Sequence, residues 1–382
     1  MRFKKLLTML MAGLMVVSAC ACGNGGGAGS SAAGSSASQS PAATSKAAGA
    51  GYEVTDMLGR KVTIPESAKT CVCIGPGALR LYCYVADKKN IAGVENIEAQ
   101  SDEGRPYTMS FDNIKSLAII GPGGPNNAPD AEKIFAAKPD VIFTCYNTEQ
   151  SAVDELQDKT GIPVVAISYG EGRLFDETVY KSLKLIGQIT KNEKRAQEVI
   201  DYFEAVKKDL EARVKDVTPV RVYLGGQSSK GNHGIESTTG DYEIFRVLNA
   251  KNVVNEKNIT KYVMLDKEML IELDPEYIIV DSGGLSLIKE DYKANPEYYK
   301  SLSAFKNKKI YLQMPFNHYT TNLDIAVADA YYIGSVLYPD KFKDVDPKAK
   351  FDEITNALLG VKVYDKIAAT NAGGYQQVEI DK

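Results

Sequence analysis

Several side chains able to grip a polar ligand stand in loops that follow β-prone runs. They are Arg80, Tyr107, Tyr146 and Tyr169 in the first half of the chain, and Lys230, Asn232, His233, Asn317, His318 and Tyr319 in the second. Arginine offers paired donors to a carboxylate or another anionic oxygen. Tyrosine presents a ring face and a hydroxyl together, which suits a flat, partly apolar ligand. A loop His or Tyr could complete the coordination of a chelated ferric ion or bind haem iron axially. The competing reading is structural, because the chain has 22 tyrosines and most of them must be ordinary core or surface residues.

Other chemistries are set aside by what the residues do not form. Gly75-Pro76-Gly77-Ala78-Leu79-Arg80 has two glycines of a dinucleotide fingerprint, but Arg80 stands where the third belongs and proline separates the first two. No phosphate-binding G-x-x-x-x-G-K-[ST], no H-E-x-x-H and no G-x-S-x-G is present in the mature chain. Two histidines cannot build a histidine-rich metal cage. Cys71, Cys73, Cys83 and Cys145 lack the paired C-x-x-C spacing of a metal site; export would permit a disulfide among them, and buried free thiols are the expected reading. A net charge of -4 over 382 residues carries no global footprint for nucleic acid.

The elements that must position these residues alternate between strand and helix. A hairpin at 54–65 precedes a strand at 70–74, a glycine turn and a helix at 78–86. Short strands follow at 91–94 and 119–120. A helix beginning near Asp130 stops at Pro139 and leads into a strand at 141–145, and a helix at 149–159 and a strand at 163–167 complete the first half. The second half repeats the order: a strand at 220–224, a glycine-rich loop, a helix at 241–248 and a strand at 309–313, with a further amphipathic helix at 323–337. The clearest echo sets Glu132-Lys133-Ile134 ahead of Pro139 against Glu268-Met269-Leu270 ahead of Pro275, 136 residues later. Between the halves, Ala196, Val199, Ile200, Phe203, Val206, Leu210 and Val214 recur at helical spacing. One uninterrupted helix over 191–217 is expected, stopped by Thr218-Pro219. The fold class expected is α/β: two lobes, each with a mainly parallel central sheet flanked by helices, joined by that helix and facing each other across a ligand cleft. The lobes are placed at 51–175 and 218–382, with connecting helices over 176–217. The tail beyond Gly360 shows little periodicity.

Residues 1–19 read as a secretory signal, with Arg2, Lys4 and Lys5 ahead of an apolar run at 6–17 too short to span a membrane as a mature helix. The run ends in Val17-Ser18-Ala19-Cys20, which resembles the lipobox of bacterial lipoproteins. Cys20 is the expected lipidation site, with Cys22 the weaker alternative. Residues 20–50 are mostly Gly, Ala and Ser, a flexible tether reaching roughly 30 Å.

The lipoprotein signal, the tether, the opening Val54-Thr55-Asp56-Met57-Leu58-Gly59-Arg60-Lys61-Val62-Thr63-Ile64-Pro65, the doubled helix-proline-strand block and the long interlobe helix together resemble the substrate-binding proteins of ABC importers. The subclass is the one serving iron-siderophore, haem and cobalamin uptake, and the resemblance covers about residues 52–360. It implies a rigid helix in place of flexible hinge strands, and therefore modest closure. It implies capture of an iron-siderophore type metal chelate, or alternatively of cobalamin or haem, and delivery to a permease dimer with its ATPase subunits. Glu132 and Glu268 match the family's two permease-docking glutamates, although each also stands in a first helical turn, where any carboxylate is favoured. No cofactor and no catalysis are implied, and the protein is expected to act as a monomer. The rival class is a lipid-anchored extracellular enzyme with a cleft active site.

Overall fold

The computed structural model describes residues 51–100, 104–124, 127–146 and 149–380. The expected signal segment, tether and Cys20 lie outside the described residues. The opening hairpin pairs β1 (Gly51–Thr55) antiparallel with β2 (Lys61–Pro65), and its alternation sends Val54, Val62 and Ile64 into the core. The first sheet contains β3 (Cys71–Ile74), β4 (Ile91–Val94), β5 (Ala118–Ile119), β6 (Val141–Thr144) and β7 (Val164–Ala166). Its order is β5-β4-β3-β6-β7, and every neighbouring pair is parallel. β3 and β6 are buried along their whole length, which is why they read as unbroken apolar runs instead of alternating ones. Helices α1 (Ala78–Val85), α2 (Asn96–Gln100), α3 (Pro106–Met109), α4 (Ala131–Ala137) and α5 (Gln150–Thr160) lie between these strands.

Two helices, α6 (Glu177–Thr190) and α7 (Glu193–Val214), follow the first sheet. The connecting helix is therefore shorter than the expected 191–217. Lys191 adopts a left-handed conformation (φ 57°) that caps α6, so no helix can run through it, and α7 starts after Asn192. The seven apolar positions read from its periodicity are all buried. They pack toward α6 and α1, with Phe203 set among the rings of Tyr84, Tyr180 and Tyr202.

The second sheet is built from β8 (Arg221–Gly225), β10 (Lys251–Asn252), β12 (Tyr277–Asp281), β13 (Ile310–Gln313) and β14 (Gln376–Gln377) in the order β10-β8-β12-β13-β14. Only the β13–β14 pair is antiparallel. β9 (Ser237–Thr239) and β11 (Tyr262–Met264) form a separate antiparallel ribbon. The helices of this half are α8 (Glu243–Val247), α9 (Lys267–Leu273), α10 (Leu285–Ala294), α11 (Pro296–Ser301), α12 (Ser303–Lys306), α13 (Leu323–Leu337), α14 (Pro347–Leu359) and α15 (Tyr364–Thr370). The architecture is a two-lobed α/β fold with long connecting helices.

The doubled block is equivalent in conformation as well as in sequence. Asp130 and Asp266 occupy the N-caps of α4 and α9. Ile134 and Leu270 are the buried residues one turn in. Lys138 (φ 53°) and Asp274 (φ 33°) end the helices in left-handed conformations just before Pro139 and Pro275.

The connection between lobes is broader than one strut. A single apolar core runs from β3, α1 and α6 through α7 to β8, α8, α13 and α14. Polar ties reinforce it: Arg195 on α7 donates to the carbonyls of Tyr84, Ala357 and Leu358, thereby joining α1 to α14.

Candidate functional site

The centre of the interlobe contact is Arg80 on α1, which is completely buried. It follows Gly77, whose φ of 85° and close approach leave no room for a side chain. A Cβ there would stand 2.4 Å from the Tyr169 ring and 2.6 Å from Thr320. The Arg80 guanidinium donates through Nε to Asn322 Oδ1 at 3.0 Å. One terminal nitrogen donates to the Tyr169 hydroxyl (3.1 Å) and the Thr321 carbonyl (3.0 Å), and the other to the carbonyls of His318 (3.0 Å) and Tyr319 (3.3 Å). It also lies 4.6 Å from the centre of the Tyr107 ring. All but one of its hydrogen-bond acceptors belong to the loop between β13 and α13, so this residue sews the second lobe to the first.

A second stitch runs through Tyr319. Its hydroxyl donates to Glu95 Oε2 at 2.7 Å and accepts from the Gly124 amide at 3.1 Å, while the Gly75 amide donates to the same Glu95 oxygen at 3.0 Å. Tyr319 and Thr320 both have positive φ, 54° and 65°. Two successive non-glycine residues in the left-handed region cost on the order of 1–3 kcal/mol each, a strain offset by these bonds. Beneath them Arg105 and the Tyr107 hydroxyl both donate to Glu98 Oε2, at 2.7 and 2.6 Å, in a fully enclosed cluster.

Burial pushes the Glu95 carboxyl up to about 7, against the lowering influence of the Tyr319 and Gly75 hydrogen bonds. Because the folded-state value lies above the unfolded one, the folded protein holds the extra proton between about pH 4.5 and 7. The stabilisation is then complete below that window and is lost as pH rises through 7. Relative to the wild type, Glu95→Gln should therefore gain stability on going from pH 5 to pH 8, by roughly 2.5 kcal/mol. Urea unfolding of both proteins across that range measures it, and parallel pH profiles would defeat the expectation. His318 moves the other way: burial, with Arg105 and Arg80 nearby, pulls it down to about 4, so it is neutral at physiological pH.

Beside these stitches lies a cavity of about 720 Å³ shared by both lobes. The first lobe contributes the stretch Glu171–Leu174, and the second contributes Tyr242, Phe316, Asn317, Arg246 and Lys261 among others. Arg173 pairs with Glu171 at 2.9 Å and Arg246 with Glu243 at 2.6 Å, whereas Lys261 has no carboxylate partner among the described residues. Two aromatic rings, Tyr242 and Phe316, stack 6.1 Å apart along one wall.

The expected contacts fall into separate groups against this geometry. Asn317 lines the shared cavity. Arg80, Tyr107, Tyr169 and Tyr319 are buried in the stitches between the lobes, where Arg80 and Tyr107 have no exposed surface to offer a ligand. Tyr146 lines a smaller hollow of about 170 Å³ on the first lobe, with Pro129 and Lys159. Lys230 and Asn232 are exposed on the loop after β8, and His233, half-buried there, donates from Nε2 to the Ser229 carbonyl at 2.8 Å. Glu132 and Glu268 are exposed in the first turns of α4 and α9. Cys71, Cys73 and Cys83 are buried free thiols and Cys145 a half-buried one. Burial pushes Cys71 and Cys145 up to about 12, which keeps them protonated and unreactive. Glu95, Glu98, Arg173, Arg246 and Lys261 escaped the sequence reading. Glu95, one residue past a strand's carboxyl end, carried the one available signal.

Residues 72–315 match the family described as periplasmic binding protein. The chain belongs to the periplasmic binding protein family. Among curated relatives of this binding protein, the molybdate-binding protein MolA of Haemophilus influenzae is 26% identical, over 79% of this chain and 89% of its own. The Fe(3+)-citrate-binding protein YfmC of Bacillus subtilis is 25% identical, over 54% of this chain and 66% of its own. Among solved structures, a periplasmic solute binding protein from Veillonella parvula superposes with a TM-score of 0.68 at 17% identity, covering 84% of this chain and 97% of that one, which shows the shared fold. As a periplasmic binding protein, the chain is an extracytoplasmic solute-binding component that feeds an ABC importer and works with its permease and ATPase subunits. Its role is binding and not catalysis.

Proposed function

We propose that this protein captures an oxygen-rich, anionic metal chelate of the ferric-siderophore type in the interlobe cavity and delivers it to the importer. The observation that carries this reading is the cavity itself: about 720 Å³, shared by both lobes, with aromatic and amide groups beside a charged lining in which Arg173, Arg246 and Lys261 stand against Glu171, Asp241 and Glu243. Lys261, with no carboxylate partner among the described residues, offers a donor to an anionic oxygen, Arg173 and Arg246 could do so by exchanging their partners Glu171 and Glu243, and the Tyr242 and Phe316 rings suit a carbon scaffold. A bare tetrahedral oxyanion, such as the molybdate named for MolA, would fill a small part of such a space and would need a compact cage of donors alone. The Fe(3+)-citrate named for YfmC is nearer in size and character. Cobalamin or haem is the alternative cargo. Asn317, Lys230, His233 and Tyr146 are the expected contacts nearest to solvent. The chain acts as a monomer, is anchored through Cys20 with 20–50 as its tether, and meets the permease pair through Glu132 and Glu268. Lobe limits of 51–175 and 218–382, with connecting helices over 176–217, complete this assignment.

The test is a thermal and chemical denaturation screen of the purified chain with ferric citrate, a ferric catecholate siderophore, haemin, cobalamin and molybdate. A true ligand at about 100 times its dissociation constant adds roughly 2.7 kcal/mol to the unfolding free energy. Stabilisation is expected from a ferric chelate. A response to molybdate, haemin or cobalamin alone would sink the chelate assignment.

A further inference from the structure

Six large apolar side chains are exposed among the described residues, and two of them stand on the two glutamate helices. Ile119 and Phe135 lie in the first lobe, and Tyr262, Met264 and Ile271 in the second. Phe135 is the most open, at 61%, and Ile271 is 43% exposed. Each stands three residues after its glutamate, Glu132 or Glu268, and so shares a helix face with it about one turn along. The buried residues Ile134 and Leu270 fix the rotation of both helices identically against their sheets.

Position along the sheet also agrees. α4 enters β6, and α9 enters β12, through three residues containing a proline. Each helix therefore ends beside the start of its strand, which puts its first turn at the carboxyl end of the sheet, the end that carries the cleft loops.

We infer that Phe135 and Ile271 are the apolar anchors of the permease contact, one for each half of a two-part membrane partner. The inference rests on the importer role proposed above and deepens it. A solvated glutamate is a weak holder by itself. A carboxylate beside an exposed apolar side chain is the usual composition of a protein contact, in which the apolar group supplies burial and the charge supplies register. A single apolar residue in the open needs no explanation, but the same pair of residue types at the same spacing on both equivalent helices matches a partner with two like faces. Self-association fits less well, since a two-fold contact between copies would need only one of these patches, pressed against its own image.

A photoreactive benzophenone amino acid is placed at Phe135, at Ile271 or, as an exposed control on the connecting helix α7, at Lys194 in the full chain, and the producing cells are irradiated. Positions 135 and 271 are expected to yield adducts with the ABC permease at least tenfold above position 194. With the probe at 271, Phe135→Ser should lower the yield about tenfold, and Ile271→Ser should do the same for the probe at 135, without altering the stabilisation by ferric citrate. Equal yields at all three positions, adducts only with a second copy of this chain, or no permease adduct would each overturn the inference. The Glu132→Ala, Glu268→Ala double variant separates the two claims. Adducts that persist in it would keep the apolar anchors and discard the glutamate docking. Absent adducts at 135 and 271, combined with transport that still depends on the glutamates, would do the reverse.

Discussion

Replacing Arg80 with alanine is expected to lower the unfolding free energy by about 3–5 kcal/mol, from lost packing and buried acceptors left unpaired at about 1–3 kcal/mol each. The reason is the number of groups stranded. The Tyr319 carbonyl and the amide oxygen of Asn322 would lose their donor, and the carbonyls of Thr321 and His318 would each keep only a second one, from the Tyr169 hydroxyl and Asn322 Nδ2. Tyr319 and Thr320 would then keep their left-handed strain with less to offset it. Arg80→Lys restores the charge but gathers its donors on one atom, which cannot meet acceptors arranged around a planar fork, so it should recover only part of the loss. Urea unfolding reports the energy, and small-angle scattering reports whether the lobes part. Unchanged stability in the alanine variant would mean that the interlobe contact does not depend on this residue.

The second large effect is expected at the surface and should leave the fold untouched. Under the docking role proposed for them, the Glu132→Ala, Glu268→Ala pair should reduce uptake of whichever ligand the denaturation screen finds about 10³-fold, from about 2 kcal/mol for each carboxylate paired with a permease cation. Each single variant should fall by roughly 30-fold. Ligand affinity in the purified protein should stay within about twofold, because both side chains are exposed and neither lines the shared cavity. Transport assays beside binding titrations distinguish the outcomes: a parallel loss of affinity would reassign these residues to the ligand, and intact transport would remove them from the contact.

How far these features were legible depended on the range of the interaction behind each. The doubled block could be read directly, because a proline stop and a buried residue one turn into a helix are local signals. α13 begins and ends where its period placed it, at Leu323 and Leu337. The tail was less transparent: α15 is only seven residues long, and β14 is a two-residue edge strand, too short for a period to register. Arg80 could be recognised as a polar residue beyond a strand, but its burial depends on carbonyls roughly 240 positions away, and backbone acceptors leave no trace in residue type. The left-handed turn at Tyr319 and Thr320 was hidden for the opposite reason, since neither residue type prefers it and tertiary bonds impose it.

The apolar core that passes without a break from α1 and α6 through α7 into α8, α13 and α14 determines how the molecule comes apart. Each half keeps a private apolar cluster on one face of its sheet, but the face it presents to the connecting helices is finished by side chains from the other. Melting should therefore be a single cooperative event that ignores the lobe boundary, and a lesion in either half should be felt throughout the chain. The same continuity bears on evolution. The equivalent helix-proline-strand blocks record two similar halves, yet those halves now share an interior and can no longer be inherited, or lost, separately.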